Sequence, residues 1–445
     1  MAGGTWTTQN KVRPGVYIRF QSAPDANLSI GNRGVAAICE PLSWGPIGQV
    51  MTVNAGADTT PFTGYAPTEE GSRFLAEIFK GTNRTAAPSQ VLLYRPAANG
   101  SAAATATAGA LTITAKYQGI RGNDISVIIA EDPDNEGNFT VTTVVDGLAV
   151  DRQAARIATD LKPNNWVGFT GDGALTATTG AALEGGSNGT VQAAAYSAFL
   201  TAIEPYKFDV LIYDGSDAKV QAAMTSFVKR LADENGQYCQ LVAAGLTSPD
   251  SRFVINVASG VTLSDGTQLT PQKTCWWVGG AQAGALYNQS LTYASYPGAV
   301  AASPVMANDE VIAALEAGKF VLFAENGAVK VEQDINSLVT YTPEIQEVFR
   351  KNRVMRLTST IANDVYRQFS SNYIGVVNND ETGRGLFKAA IVGYLLELQG
   401  MGAIQNFAAD DVEVLPGEAI NAILVNIAIQ AVDSTEKIYM TVTVR

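Results

Sequence analysis

Histidine is absent from the 445 residues of this chain, and its absence limits the chemistry that the chain can perform. Without histidine, neither a Ser-His-Asp nor a Cys-His nucleophilic centre can form, and no metal site can use imidazole ligands. Carboxylate or lysine chemistry stays open, but the commonest general base is missing. The sequence therefore weighs against an enzyme, and a histidine-independent hydrolase is kept as the alternative.

Two further stretches carry residue types that could bind a ligand. The glycine-rich EGGSNGT at residues 184–190 invites comparison with a phosphate loop, but it lacks the Gly-Lys-Ser/Thr ending that brings a lysine to phosphate. We interpret it as a turn before a helix. Asp364, Asp380 and Glu381 could hold a cation, but their spacing matches no standard calcium loop. We therefore predict no cofactor and no metal.

Positive charge is concentrated in one stretch, FRKNRVMR at residues 349–356, of a chain that is acidic overall. The chain has 30 Lys and Arg against 42 Asp and Glu, which argues against a nucleic-acid binder. We predict that the stretch is helical, which places Arg353 one turn from both Arg350 and Arg356. It is either a solvated helix face or a contact surface for an acidic partner. For the second interpretation the candidates, led by Lys351, are Arg350, Lys351, Arg353 and Arg356.

The elements that would position these residues alternate between strands and helices over much of the chain. QVLLYRP, FDVLIYDG and YCQLVAAG are typical of buried strands, and DAKVQAAMTSFVKRLADENG predicts an amphipathic helix that ends at Gly236. Such alternation indicates an α/β layer with a parallel sheet. Between residues 97 and about 180 the pattern is β-rich, and AANGSAAATATAGA at its start has the composition of a linker. We therefore predict an inserted or separate β domain that is peripheral.

The C-terminal part predicts two helices and a β tail. Residues 343–372 have apolar side chains at helical spacing after Pro343, and a second helix is expected from about 385 to 398. The last ten residues, EKIYMTVTVR, alternate apolar and polar side chains as a half-buried strand does. That strand either forms a hairpin in cis, with DSTE as its turn, or pairs in trans. The sequence leaves both open.

Cysteine use and hydropathy limit the setting of the protein. Cys39, Cys239 and Cys275 lie far apart, so they form no disulfide framework and favour a reducing compartment. The N-terminal MAGGTWTTQNKV lacks the apolar core of a signal peptide and predicts a flexible arm. No apolar run approaches the ~18 residues needed to span a bilayer, and we predict no membrane binding by this subunit.

Four stretches, in order along nearly the whole chain, resemble the tail sheath proteins of contractile phages and phage-like particles. They are RPGVYI near the N-terminus, YQGIRGNDISV, ALEGGSNGT followed by FDVLIYDG, and EVFRKNRVMRLTSTIANDVY with the β tail. The closest resemblance is to the Gram-positive phage and defective-phage group. It implies a structural subunit that polymerises around a tail tube and then contracts to drive the tube through a cell envelope.

The fold class that this resemblance implies is a multidomain mixture of α/β and β structure. It has a subtilisin-like α/β domain, an inserted β-sandwich domain, and an α+β C-terminal domain with extended terminal arms. A subtilisin-like topology need not bring catalysis, because function depends on the site and not on the fold. The boundaries that we predict are an N-terminal arm at 1–22, the first part of the α/β core at 23–96, the β-sandwich at 97–182, the subtilisin-like domain at 183–338, the polymerisation domain at 339–435 and a C-terminal arm at 436–445.

The resemblance also implies partners and subunit-linking residues. The partners are further copies of the chain in a helical or ring-stacked homopolymer, the tail tube protein, and baseplate and terminator proteins, without nucleic acid. The setting is the tail sheath of a virion or phage-like particle, assembled in the cytoplasm of a bacterial host. In the family, terminal arms of neighbours add strands to a third subunit's C-terminal sheet. The donors here would be Val16, Tyr17, Ile18, Phe20, Ile438, Met440, Val442 and Val444, and the acceptor strand would contain Ile423, Val425, Ile427 and Ile429.

Overall fold

The computed structural model describes residues 2–4, 15–17, 31 and 33–444, the first two ranges as backbone alone. The chain divides into two compact units. One comprises residues 32–360 and 433–445 and is called the large unit here; the other comprises residues 1–31 and 361–432 and is called the small unit.

The described elements are given in chain order. The first strands are β1 (Ala2–Gly4), β2 (Gly15–Tyr17), β3 (Val35–Cys39), β4 (Val50–Asn54) and β5 (Gln90–Tyr94). The next are β6 (Ala98–Asn99), β7 (Thr105–Ala108), β8 (Leu111–Ala115), β9 (Ile125–Glu131), β10 (Phe139–Val145), β11 (Leu148–Ala155), β12 (Val167–Thr170), β13 (Thr178–Ala182) and β14 (Thr190–Val191). Then follow β15 (Val210–Ile212), β16 (Gln240–Ala244), β17 (Val254–Val257), β18 (Gly260–Leu263), β19 (Gln268–Leu269), β20 (Ser295–Tyr296), β21 (Ala299–Ser303), β22 (Lys319–Phe320), β23 (Leu322–Glu325), β24 (Ala328–Val331), β25 (Ile404–Gln405), β26 (Val412–Pro416), β27 (Ile423–Ile427) and β28 (Gln430–Ala431). The α-helices are α1 (Thr60–Thr63), α2 (Arg73–Ile78), α3 (Ala193–Ile203), α4 (Ala218–Asn235), α5 (Pro271–Gly284), α6 (Asn308–Glu316), α7 (Asn352–Asn372) and α8 (Glu381–Gly400).

A seven-stranded sheet is the centre of the large unit, with the order β22-β17-β16-β15-β3-β5-β4. Strand β4 pairs antiparallel with β5, and the other pairs are parallel. The strands are runs of apolar residues because helices and loops cover both faces of the sheet. One core cluster, which includes Ile38 and Ile212, packs against α5, and the other, which includes Leu211, packs against α3 and α4.

The sequence TCWWVGGAQAGAL predicts a passage from strand to helix, and helix α5 corrects that prediction. The whole of Pro271–Gly284 is helical and is capped by Thr270, whose side chain accepts from the Lys273 amide. A Cβ at Gly280 would lie 2.0 Å from the Ile78 carbonyl oxygen. Glycine at this position therefore allows α5 to approach α2 closely, and the small residues that obscure the helical pattern are a packing requirement.

The β-sandwich is formed by a four-stranded sheet, β11-β10-β9-β13, and a three-stranded sheet, β12-β8-β7. Alternate residues of β8 and β9 point into one shared core with Val141. The turn cluster DPDNEGN between two alternating runs predicts a hairpin, which is confirmed, since β9 and β10 pair antiparallel on either side of it. The multidomain mixed fold with a β-sandwich is therefore as predicted.

The predicted linker at the start of the sandwich is wrong. Within residues 97–110, β6 pairs with β14 on the return path of the chain, and β7 belongs to the sandwich. Isolated bridges join Ala102 to Ser187 and Thr105 to Glu184. The segment that enters the sandwich and the segment that leaves it are therefore paired through their backbones. A composition of Ala, Thr, Gly and Ser does not reveal this pairing.

The boundary between the sandwich and the α/β core is well packed. Trp44, which follows β3 in the α/β core, is 1% exposed and belongs to the sandwich core cluster. Its ring centroid lies 5.0 Å from that of Trp166 and 5.2 Å from that of Tyr117. Arg121 of the sandwich donates to the Gly64 carbonyl at 2.8 Å and to the Asp146 carboxylate. Apolar contacts of Trp44 therefore cross the boundary of the domain that was predicted to be peripheral.

The long helix at 343–372 begins later than predicted. A short 3₁₀ turn at Glu347–Arg350 precedes α7, which starts at Asn352. The cause is local: the Asn352 amide donates to the Asp334 carbonyl and the Asn336 amide donates to the Arg350 carbonyl, so this backbone is bonded to the segment after β24. Arg350 and Lys351 therefore lie before the α-helix and not on it.

The small unit contains α8, three two-stranded sheets (β1-β2, β25-β28 and β26-β27) and the rest of α7. Asp380 caps α8 by accepting from the Gly383 amide at 2.7 Å. Asp364 accepts from the Tyr394 hydroxyl at 3.0 Å, which ties α7 to α8. Two of the carboxylates considered as cation ligands, Asp364 and Asp380, are thus used in hydrogen bonds within the unit.

Candidate functional site: a strand edge and the root of the C-terminal segment

The β26-β27 hairpin presents a strand edge that has no partner in the described part of the chain. Strand β27 pairs antiparallel with β26 over five residue pairs, from Val412↔Ile427 to Pro416↔Ile423. Its other edge is unpaired among the described residues. An unpaired edge carries a row of N–H and C=O groups that can accept a further strand.

The side chains of this hairpin are more exposed than those of an ordinary core strand. Ile423 and Val425 are half-buried, whereas Leu424 is 52% exposed and Ile427 is 37% exposed. Ile429, the last predicted acceptor residue, follows β27 and lies outside it. The predicted acceptor strand therefore exists over Ile423–Ile427 and offers both backbone groups and apolar surface.

The C-terminal segment, residues 437–444, forms no strand in the described structure and is almost wholly exposed. The exposed fractions of its apolar side chains are 79% for Ile438, 78% for Met440, 75% for Val442 and 91% for Val444. No cis hairpin through DSTE forms among the described residues, since β28 before this turn pairs with β25 and residues 437–444 after it form no strand. Exposure of an alternating apolar stretch to solvent costs free energy in an isolated subunit. Such exposed apolar surface is typical of a protein–protein interaction site.

The N-terminal donor residues are described only in part. Strand β2 pairs in parallel with β1, so Val16 lies opposite Gly3 and Tyr17 opposite Gly4. The prediction of an unstructured arm is thus wrong for Ala2–Gly4. Ile18 and Phe20 lie outside the described residues.

The root of the C-terminal segment, residues 433–436, is held by an ion pair and a hydrogen bond. Lys351 Nζ donates to Glu436 Oε2 at 2.5 Å, and the hydroxyl of Thr292 donates to Glu436 Oε1 at 2.9 Å. The Thr292 hydroxyl also accepts from the Asp334 amide at 3.0 Å. Burial lowers the pKa of Arg353, and the negative charge of Asp433 in the root opposes this shift, so Asp433 also attracts a cation of the large unit. The chain is therefore fixed where the exposed segment begins.

Arg356 corrects the prediction of a single basic face. Its side chain is 1% exposed and forms an ion pair with Asp334 at 2.6 Å, and it also donates to Gln282 and to the Gln289 carbonyl. Burial by itself would raise the pKa of Asp334, but the Arg356 guanidinium outweighs it and the pKa is lowered. Arg356 is a core residue and cannot face a tube.

The other three basic residues already have partners within the large unit. Arg350 donates to the Leu315 carbonyl, Lys351 pairs with Glu436, and Arg353 interacts with Asp433. All three are half-buried. The sequence singled out these cations but missed their anions. Two acidic residues, Asp433 and Glu436, directly precede the alternating apolar segment, and this position in the sequence could have indicated them as the partners.

The described residues offer little for catalysis or metal binding. Burial raises the pKa of all three cysteine thiols, which keeps them protonated and unreactive. No group of three or more metal-ligating side chains occurs among residues that the structure describes. Within the same residues, no helix has the length and apolarity that a membrane crossing requires.

Comparison with known proteins decides the family. Residues 98–188 match the phage tail sheath protein beta-sandwich domain, residues 189–337 the phage tail sheath protein central domain, and residues 344–445 the phage tail sheath C-terminal domain. The chain belongs to the phage tail sheath family. The crystal structure of the sheath tail protein of Desulfitobacterium hafniense is similar over 96% of this chain and 99% of that one, with 40% identity and a TM-score of 0.88.

Two other proteins extend the comparison. The phage-like element PBSX protein XkdK of Bacillus subtilis strain 168 is 33% identical over the full length of both chains. The chain of the contracted helical sheath of the anti-feeding prophage shares the fold over 97% of this chain and 99% of that one, with a TM-score of 0.59 and 14% identity. As a member of the phage tail sheath family, the chain is a structural protein of the tail sheath and not an enzyme, and nothing in the comparisons supports the hydrolase alternative.

Proposed function

We propose that this sheath protein polymerises around a tail tube and contracts, with its subunits linked by strand exchange in trans. The observation that carries the proposal is the exposed alternating segment Ile438–Val444 in a chain that also has the free edge of β27. The two are chemically complementary: the edge offers backbone hydrogen bonds, and the segment offers backbone groups and a row of apolar side chains.

The energy of such a link suits a stable polymer. About six to eight ladder bonds at roughly 0.5–1.5 kcal/mol each would offset the entropy of ordering the segment. Burial of Ile438, Met440, Val442 and Val444 adds apolar stabilisation at about 25 cal/mol per Å². The alternation also fixes register, since a one-residue slip would turn every apolar side chain to the other face.

The contacts of the root fix the position at which the exposed C-terminal segment begins. Because Glu436 is bonded to Lys351 and Thr292, the exposed residues begin at a fixed point of the large unit. Fixing the start of a segment lowers the entropy lost when its remainder binds a neighbour. The N-terminal stretch around Val16, Tyr17, Ile18 and Phe20 is the second proposed donor.

The remaining parts of the proposal follow from the family resemblance. The parallel sheet with helices on both faces supports a subtilisin-like topology for the central domain. Arg350, Lys351 and Arg353 are proposed to contact the tube or a neighbouring subunit, where exposed ion pairs of about 0.2–1 kcal/mol can break during contraction. Baseplate and terminator proteins are the other proposed partners, in a phage or phage-like particle assembled in the host cytoplasm.

Truncation tests the proposal directly. A chain that ends at Glu436 keeps the root contacts and should stay folded, with an unchanged melting temperature, but should form no tubes in electron micrographs. The matched control exchanges Thr441 and Thr443, the polar side chains of the segment, for Ser and should still assemble. Tubes of normal length from the truncated chain would contradict strand exchange by this segment.

A further inference from the structure

The order of the central sheet reverses between β15 and β3. On one side the chain runs outward through β3 and β5, and on the other through β15, β16, β17 and β22. In open α/β sheets, the crevice at the carboxyl ends of the two strands beside such a reversal is where ligands bind. Here Glu40 directly follows β3 and Asp214 follows β15 by two residues. The parallel register, Ile212↔Ile38, continues to place Asp214 beside Glu40.

The two carboxyl groups form a pair at the base of this crevice. Their side chains share a hydrogen bond, which requires that one of them carries a proton. Asp214 Oδ2 also accepts from Trp276 Nε1 at 3.0 Å. Glu40 Oε2 is shielded from solvent and has no hydrogen-bond partner among the described residues. The pair therefore holds a negative charge in a half-buried place.

Burial and mutual repulsion keep one proton on the pair. Burial raises the pKa of Glu40, and the charge of Asp214 raises it further. Burial likewise raises the pKa of Asp214, against the hydrogen bonds that it accepts. A carboxyl group whose pKa is raised by folding destabilises the folded state as the pH rises. A cation that bound here would remove that cost, because it would allow both groups to ionise.

The crevice above the pair is large enough for a side chain and is acidic. It has a volume of about 670 Å³, and its lining contains four carboxylates against the single ammonium of Lys273. Two of the four are already used, since Glu70 pairs with Arg73 and Glu69 accepts from the Ala66 amide. The aromatic rings of Tyr65 and Trp276 form part of the wall. Adjacent carboxyl oxygens with aromatic walls are the surroundings that a guanidinium prefers.

We propose that the crevice between Glu40 and Asp214 is a receptor for an arginine side chain of a second copy of the chain. The proposal rests on the proposed polymer, in which each subunit meets further copies. Binding converts the hydrogen-bonded acid–carboxylate pair and a guanidinium into two carboxylates paired with that guanidinium, and the shared proton leaves to solvent. The contact therefore strengthens as the pH rises.

Other groups that face the pair do not supply this proton. They are the thiols of Cys39 and Cys275, the phenols of Tyr196 and Tyr213 and the ammonium of Lys273. Burial raises the pKa of both thiols and of both phenols, that of Tyr213 to about 12. They stay protonated near neutral pH, so a proton released there on binding comes from Glu40 and Asp214.

The first test uses methylguanidinium and the unassembled full-length chain. Calorimetric titration at pH 6–7 in two buffers of different ionisation enthalpy should show weak binding with release of a proton. Glu40→Gln, which keeps a hydrogen bond to Asp214 but has no proton to lose, should bind about tenfold less and release none. The control Glu136→Gln, an exposed carboxylate outside the crevice, should match wild type. Equal binding by Glu40→Gln, or wild-type binding without proton release, would overturn the site.

The second test identifies the source of the guanidinium. Glu40→Gln should melt at a higher temperature than wild type above neutral pH, which shows that it folds, and should form fewer tubes than Glu136→Gln. Tubes from Glu40→Gln in normal yield and with normal pH dependence would overturn a second copy as the occupant. If wild type itself forms no tubes, the proposed polymer fails, and the titration still decides whether the crevice binds a guanidinium.

Discussion

Lys351 Nζ lies 2.5 Å from Glu436 Oε2, so a cation at the start of the C-terminal domain is paired with the last acid of the chain. The side chains are 24% and 12% exposed, which places the pair between a surface ion pair and a buried one. Because of this ion pair, Lys351 of the basic stretch 349–356 has a partner within its own chain. Part of the charge of that stretch holds the root of the segment that is proposed to link subunits, and any tube contact by Lys351 would compete with that pair.

Charge reversal at the root should free the segment without unfolding the subunit. Lys351→Glu should destabilise the large unit by about 1 kcal/mol and speed proteolysis between residues 433 and 444, because the glutamate repels Glu436. Limited proteolysis followed by mass spectrometry measures the effect.

The double variant Lys351→Glu with Glu436→Lys is the control for that experiment. It restores the opposite charges and should recover protection of the root. It also separates two roles of Lys351, because it repairs the root while leaving a reversed charge toward any tube. Protection that stays lost in the double variant would contradict the ion pair as the fixing contact.

The buried pair of Arg356 and Asp334 should be far more important to stability than any surface pair. Arg356→Ala leaves the Asp334 carboxylate buried without its cation and should cost about 3–5 kcal/mol in urea denaturation. Arg230→Ala, at the more exposed pair with Glu204, should cost about 0–1 kcal/mol and serves as the control. Similar losses for the two variants would contradict the assignment of Arg356 to the core.

The same pair predicts an acid limb of the stability curve. Folding lowers the pKa of Asp334, so its contribution is present above the unfolded pKa of about 3.9 and is lost as the pH falls through the lower folded value. Asp334→Asn should be less stable than wild type at neutral pH and should lose less stability on going from pH 5 to pH 3. Thermal melting across this pH range measures the difference.

Removal of the β-sandwich tests whether it is peripheral to assembly. Because Asn99 lies opposite Thr190, replacement of residues 100–189 by an Asn-Gly turn should close β6 onto β14 as a hairpin. That variant should aggregate, since Trp44 loses its contacts with Trp166 and Tyr117. Adding Trp44→Ser should restore a folded chain that forms tubes, as size-exclusion chromatography and microscopy would show. A folded chain that forms no tubes would mean that the domain takes part in the lattice.

The elements that could be predicted from sequence are those whose signals are local. Strands β5, β15 and β16 are apolar runs between turn signals, and Gly236 ends α4 in the left-handed conformation that favours glycine, with a φ of 63°. The failures depend on contacts between distant residues. Strand β7 is Thr-Ala-Thr-Ala and becomes a strand only because β8 lies beside it.

The candidate site divides in the same way. The alternation of Ile438–Val444 and the apolar run at Ile423–Ile427 are visible in the sequence, and so is the cluster of cations. The burial of Arg356 is not, because its partner Asp334 lies 22 residues earlier, in the loop after β24. The pairing of Thr292 with Glu436 spans 144 residues and has no sequence signal.

Disulfide trapping between two chains measures strand exchange most directly. An acceptor chain ends at Glu436 and carries Val425→Cys; donor chains are full-length and carry Met440→Cys, Val442→Cys or Val444→Cys. Since Cys39, Cys239 and Cys275 are buried, the introduced thiols are the reactive ones. Leu148→Cys, an exposed position on the sandwich, replaces the donor cysteine in the control.

The measurement is the yield of covalent acceptor–donor dimer after mixing, assembly and mild oxidation. Strand exchange in trans predicts a strong dimer band at one donor position, weaker bands at the others, and none with the Leu148→Cys control. Residues opposite each other in such a ladder have Cα atoms about 4.5–5.5 Å apart, which a disulfide can bridge. A full-length chain with both Val425→Cys and Val442→Cys that closes a disulfide within itself at high dilution, while mixed chains give no dimer, would contradict it.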